Sequence, residues 1–252
     1  MVSWQQGWQP GVTRRPSSSH DARPAAQRID ILLLHYTGMK SAEAALARLC
    51  APKARVSAHY LIEEDGSLFQ LVSEDRRAWH AGLASWAGAQ DINARSIGIE
   101  LVNPGHEWGY QPYGPAQMQA LEQLAAEIVA RHAIPPHRVL GHSDVAPERK
   151  QDPGERFDWA RLARRGLGLW PGEDFAVSPG APALEPGMSG GAVVDLQLAL
   201  AAIGYGIAGS GLYDSLTQAV VRAFQRHFRP GLVDGLADAE TSSLIHHLAT
   251  IA

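Results

Sequence analysis

The run Ile31-Leu32-Leu33-Leu34 constrains the fold more than any other stretch of the 252-residue chain. Four consecutive branched apolar residues offer a strand no polar face, so such a strand is buried on both sides. A doubly covered strand needs neighbours on each edge and helices above and below. That arrangement suits an α/β domain. The run leads straight into His35, which places an imidazole at the mouth of a buried strand. That residue is either a metal ligand or a core histidine with its nitrogens satisfied.

Further elements fit the same architecture. Ser41 can cap a short helix over 41–49, with Ala44, Ala45 and Leu49 on its inner side. Asp65-Gly66 sits between runs rich in apolar and aromatic residues and predicts an antiparallel hairpin within 57–72. The segment 77–82 (RAWHAG) is loop-like. Residues 96–103 (SIGIELVN) alternate as a strand, with Gly98, Glu100 and Val102 on one face. A carboxylate in such a run needs a partner or a task, so Glu100 is an ion-pair member or a general base. Pro115 opens a helix to about His132 with one apolar stripe. Arg138 to Leu140 is a short strand.

The stretch 141–154 (GHSDVAPERKQDPG) reads as a loop bearing His142, Lys150 and Asp152. An imidazole and a carboxylate converging from a strand end and a loop can bind Zn²⁺. Lys150 and Asp152 point the same way if the loop is extended there, which puts a positive charge beside the metal. Residues 157–169 predict one more helix. The Pro- and Gly-rich stretch 171–187 is a linker. From about residue 188 the pattern becomes three short amphipathic helices, a small bundle near the lower size limit for folding alone. Residues 1–27 are polar and rich in Pro, Ser and Arg, a loosely held arm.

Composition narrows the function. A net charge of -4 argues against nucleic acid as the main partner. With one cysteine, Cys50, no intramolecular disulfide can form, and any zinc must be held by His and Asp rather than thiolates. The sequence carries neither a signal-peptide pattern nor a transmembrane run. The expectation is a cytoplasmic protein, or a periplasmic one if a leader has been removed, and a monomer.

The motifs together carry a resemblance. The segments LLLHYTG, SAHYLIEEDG, AWHAG, SIGIELVN and GHSDVAPERKQDPG occur in order, and residues 28–165 resemble the zinc-dependent type 2, AmpD-like N-acetylmuramoyl-L-alanine amidases. Residues 188–248 resemble the three-helix peptidoglycan-binding domain. The resemblance implies an N-terminal arm (1–27), a catalytic α/β domain (28–170) with a mixed central sheet flanked by helices, a linker (171–187) and a peptidoglycan-binding domain (188–252). It implies zinc held by His35, His142 and Asp152 with a fourth position for water, Glu100 as general base, and Lys150 beside the oxyanion or leaving group. The implied reaction is hydrolysis of the amide between N-acetylmuramic acid and L-alanine in peptidoglycan or muropeptides. Related enzymes often carry a tyrosine where this chain has Ala58, so the base role falls on Glu100. The competing expectation is a recognition protein that binds muropeptide without cutting it; retention of all three ligands favours catalysis. His59, His80 and Trp86 are candidate substrate contacts, His59 being equally a packed histidine. Trp79 and Trp108 are further candidates to line a sugar groove. His227, His246 and His247 read as helix residues of the bundle.

Overall fold

The computed structural model describes residues 7–172, 175–178 and 183–252. Part of the expected linker, residues 173–174 and 179–182, and the first six residues of the expected arm lie outside them. The chain forms two compact units, Met1–Gly82 with Asp91–Leu140, and Leu83–Gln90 with Gly141–Ala252.

The first unit is built on a six-stranded mixed sheet. Its strands are β1 (Thr13–Arg14), β3 (Ile31–Tyr36), β4 (Tyr60–Ile62), β5 (Leu68–Gln70), β7 (Ser96–Leu101) and β8 (Val139–Gly141), in the order β1-β5-β4-β7-β3-β8. β3 and β4 run parallel to β7 on its two sides, and β4 and β5 form the antiparallel hairpin that Asp65-Gly66 predicts. Ile31 to Leu34 are wholly inaccessible, as the unbroken apolar run requires. A second ribbon pairs β2 (His20–Ala22) with β6 (Arg76–Ala78).

Helices flank the sheet. α1 (Ala42–Cys50) begins at Ser41, whose hydroxyl accepts from the Ala44 amide. Its Ala45 and Leu49 pack with Leu61, Leu71 and Val102. α2 (Ile92–Arg95) leads into β7, and α3 (Gly105–Trp108) follows it. α4 (Pro115–His132) starts on its proline as expected and contacts β3 and β4.

The N-terminal stretch is not the loose arm its composition suggests. β1 adds a strand to the sheet and β2 pairs with β6. The Arg23 guanidinium donates to the carbonyls of Glu74, Asn93, Ala94 and Ser96. Four carbonyls gathered on one planar fork tie this polar segment down.

In the second unit, α5 (His142–Val145) follows β8 without a break, so the first residues of the expected loop are helical. α6 (Trp159–Ala163) is shorter than the helix expected over 157–169, which Gly166 and Gly168, both at positive φ, bring to a close. The three C-terminal helices are α7 (Gly191–Ile203), α8 (Ser215–Phe228) and α9 (Ala239–Ala249). Asp214 and Asp238 cap the last two, and α7 packs on α9. No helix of the described residues is long and apolar enough to cross a membrane.

Candidate metal centre

β3 ends on His35-Tyr36, and in the parallel pairing with β7 His35 stands opposite Glu100. Partners in a parallel register project to the same face on strands about 4.8 Å apart. The sheet therefore delivers an imidazole and a carboxylate side by side. Glu100 is also the register partner of Leu61 in β4, so apolar neighbours border it.

His80 orients His35. Its Nδ1 lies 3.0 Å from His35 Nε2, and its Nε2 lies 3.3 Å from Ser96 Oγ. Ser96 Oγ spends its proton on the Ile92 carbonyl at 2.7 Å, so it accepts from His80 Nε2–H. With its proton on Nε2, the His80 ring accepts at Nδ1 from His35 Nε2–H. By this chain of donors, Nδ1 of His35 is the lone-pair nitrogen. An outer hydrogen bond that fixes the tautomer and rotation of a ligating histidine is a recurrent feature of metal sites.

Gly98 makes room for this arrangement. A Cβ there would lie 2.6 Å from His80 Cγ and Nδ1. The His80 backbone cannot retreat easily, because its amide and that of Ala81 both donate to Asn93 Oδ1.

His59 lies under the same strand and is fully buried. Its Nδ1 accepts from the Gly98 amide at 2.9 Å, and Nε2 lies 3.1 Å from the Arg76 carbonyl and 3.0 Å from Arg23 Nη2. Burial, then the Arg23 charge, hold its pKa well below the usual histidine range. With both nitrogens engaged and no accessible surface, His59 is a packed structural residue rather than a substrate contact.

His142 opens α5 directly after β8, the sheet neighbour of β3. Its Nδ1 lies 3.0 Å from Asp152 Oδ2, and the Ser143 amide donates to the Asp152 carbonyl at 2.9 Å, which closes the intervening turn. The ligand atoms offered by His35, His142 and Asp152 all lie within 4.8 Å of one another, and the three residues are buried. Tetrahedral Zn²⁺ with bonds of about 2.0–2.2 Å sets its ligand atoms roughly 3.3–3.6 Å apart. Two imidazoles and one carboxylate gathered this closely are a donor set suited to such an ion.

Residues 25–155 match the N-acetylmuramoyl-L-alanine amidase family, and residues 189–245 match the putative peptidoglycan binding domain. This chain belongs to the N-acetylmuramoyl-L-alanine amidase family. It is 38% identical over 257 residues to the N-acetylmuramoyl-L-alanine amidase AmiD of Escherichia coli, covering 94% of this chain and 90% of that one. It is 36% identical over 174 residues to the 1,6-anhydro-N-acetylmuramyl-L-alanine amidase AmpD of Citrobacter freundii, covering 62% of this chain and 91% of the relative. The fold matches Escherichia coli AmiD in complex with the substrate anhydro-N-acetylmuramic acid-L-Ala-D-γ-Glu-L-Lys, with a TM-score of 0.77 over 92% of both chains at 38% identity. It also matches AMPDH3 of Pseudomonas aeruginosa with a TM-score of 0.74 at 30% identity, over 100% of this chain and 99% of that one.

The other expected site residues lie in less telling places. Lys150 lines a cleft with Arg149, Arg222 and Arg226. Trp86 is buried edge-on against Tyr205, with centroids 4.9 Å apart, so it packs rather than lining an open groove. Trp108 is half exposed, with Lys40 Nζ 4.1 Å from its ring centre. Two features escaped the sequence reading. One is a polar aromatic group one residue beyond His35: the Tyr36 hydroxyl is 2.9 Å from His106 Nδ1, and Tyr110 packs against both rings. The other is Asp144, buried two residues after His142. The acid between Ser143 and Val145, in a strand-end turn, was the available signal.

Proposed function

We propose that this amidase-family chain hydrolyses the amide between the lactyl group of N-acetylmuramic acid and the L-alanine of the stem peptide, with zinc held by His35, His142 and Asp152. The observation that carries the reading is the closeness of these three buried ligand atoms within the stretch that matches the family. Zinc bound there supplies Lewis acidity, polarising the scissile carbonyl and making water a better acid. Glu100, in register with His35, is the base that takes the proton from attacking water and returns it to the departing alanine nitrogen. His80 keeps the His35 ring in the ligating tautomer. Lys150 contributes positive charge near the tetrahedral state, an effect of roughly 3 kcal/mol for one well-placed donor. The peptidoglycan-binding match of residues 189–245 supports wall-derived substrate, with the bundle raising its local concentration.

The test is mass spectrometry of a muropeptide digest. Hydrolysis releases a stem peptide with a free L-alanine amino group; a pure binder leaves the muropeptide intact. Glu100→Ala retains zinc and loses turnover. A Glu100→Ala variant with wild-type turnover overturns the base assignment, and indifference of the wild type to chelator removes the metal from the reaction.

A further inference from the structure

The second unit contains both the turn that carries His142 and Asp152 and the three C-terminal helices. Asp144 joins them. Its carboxylate is 1% exposed, and three donors converge on it. The Gly141 amide donates to Oδ2 at 2.7 Å, closing the first turn of α5. The Tyr205 hydroxyl, from the segment after α7, donates to Oδ1 at 2.8 Å. His227 Nδ1, from α8, lies 2.8 Å from Oδ2.

Each donor from the bundle is itself held. Tyr205 is buried, and burial followed by the Asp144 charge pushes its pKa far above the usual phenol range, so its hydroxyl stays a donor. Trp86 rests on its ring, and a Cβ at the adjacent Gly204 would lie 2.4 Å from the Trp86 indole. The His227 ring is stacked between Trp159 (centroids 3.7 Å apart) and Phe228 (4.0 Å), which fixes its rotation. Its Nε2 is buried with no hydrogen-bond partner among the described residues. The ring's polar contact is therefore made through Nδ1, toward Asp144.

A buried carboxylate needs its donors, and loss of one leaves lone pairs without compensation. Asp144 is two residues from His142 on a single helical turn, so anything that reorients Asp144 reorients that imidazole. We propose that Tyr205 and His227 are positioning residues for the metal centre. Through Asp144 they hold α5 in the orientation in which His142 ligates, so the C-terminal bundle is part of the catalytic scaffold as well as a wall-binding module. The inference rests on the assignment of His142 as a zinc ligand.

The test uses the full chain and reads zinc affinity by competition with a chromogenic chelator, kcat and KM on a soluble muropeptide, and co-sedimentation with insoluble peptidoglycan. Tyr205→Phe keeps the ring and removes one donor. Its zinc affinity falls by about 10-fold, the usual scale for an outer-shell partner, and kcat falls with little change in KM or sedimentation. His227→Asn keeps a donor near the Nδ1 position and loses the stacked ring, whereas His227→Phe keeps a ring and loses the donor. Positioning through the hydrogen bond ranks Asn above Phe in zinc affinity; a packing role ranks Phe above Asn. Wild-type zinc affinity and kcat in Tyr205→Phe, or the Phe-above-Asn order, overturns the proposal. If the His227 variants do not fold, Tyr205→Phe alone decides. A wild-type protein that neither binds zinc nor releases stem peptide overturns the amidase reading instead, so the two failures are distinct.

Discussion

Replacing Gly98 by alanine tests how the site face of the sheet is built. Gly98 lies in the buried strand β7, outside the left-handed region, so an alanine backbone is unstrained there. The entire cost is steric. The new methyl would lie 2.6 Å from His80 Cγ and Nδ1 and 2.7 Å from Cε1, roughly 1 Å inside ordinary contact. Neither side yields freely. The Gly98 amide and carbonyl are bonded to His59 Nδ1 and the His59 amide, and the His80 amide is bonded to Asn93 Oδ1. Overpacking of this kind costs about 1–3 kcal/mol, and each kcal/mol shifts Tm by about 2–4 °C in a chain of this size. The displaced ring also loses its hydrogen bond to His35 Nε2, so zinc affinity falls by about 10–100-fold. The assay is a double-mutant cycle in thermal denaturation and chelator competition with Gly98→Ala, His80→Ala and the pair. With the ring gone, the methyl has space, so the double variant is less destabilised than the sum of the singles by about 1 kcal/mol. Strict additivity, or a Gly98→Ala protein with wild-type Tm and zinc affinity, refutes the steric account.

Acid should destabilise the fold through His59. Burial, with Arg23 adding to it, lowers its pKa in the folded state, so below about pH 6.5 the unfolded chain takes up a proton that the folded chain refuses. Stability then falls by about 1.4 kcal/mol per pH unit until the buried ring protonates. Urea midpoints between about pH 7 and pH 5.5 measure the slope, and an unchanged slope in His59→Gln contradicts the assignment. Arg23→Met strips the donors from the carbonyls of Glu74, Ala94 and Ser96. It should cost about 3 kcal/mol or more, read as a fall in Tm; a loss under about 0.5 kcal/mol refutes the anchoring role of that segment.

What the sequence made legible follows from which interactions are local. The apolar run at Ile31, the Ser41 cap, the Asp65-Gly66 turn and Pro115 at the head of α4 each announce their element through nearest neighbours, and the structure has them where expected. The order of the sheet brings His35 and Glu100 into register, which the alternation within 96–103 suggests by putting Glu100 on one face. The rest depends on distant partners. Arg23 reads as one more charge in a polar arm because the carbonyls it bonds lie 51 to 73 residues away. The tie between Asp144 and His227 spans 83 residues, and a histidine on an amphipathic helix gives no hint of what its ring faces. In the sequence His59, His80 and Trp86 read as candidate substrate contacts, His59 equally as a packed histidine, because aromatic and imidazole side chains suit sugars. Burial separates them: His59 and Trp86 pack, and His80 turns toward His35.

The most direct test of the zinc assignment is a crystal structure of the zinc-loaded protein with anomalous data collected at the zinc edge. The expected result is a single strong peak with His35, His142 and Asp152 at about 2.0–2.2 Å and the Glu100 carboxylate close by but not ligating. A peak elsewhere, or an ion whose fourth position is filled by Glu100, contradicts it.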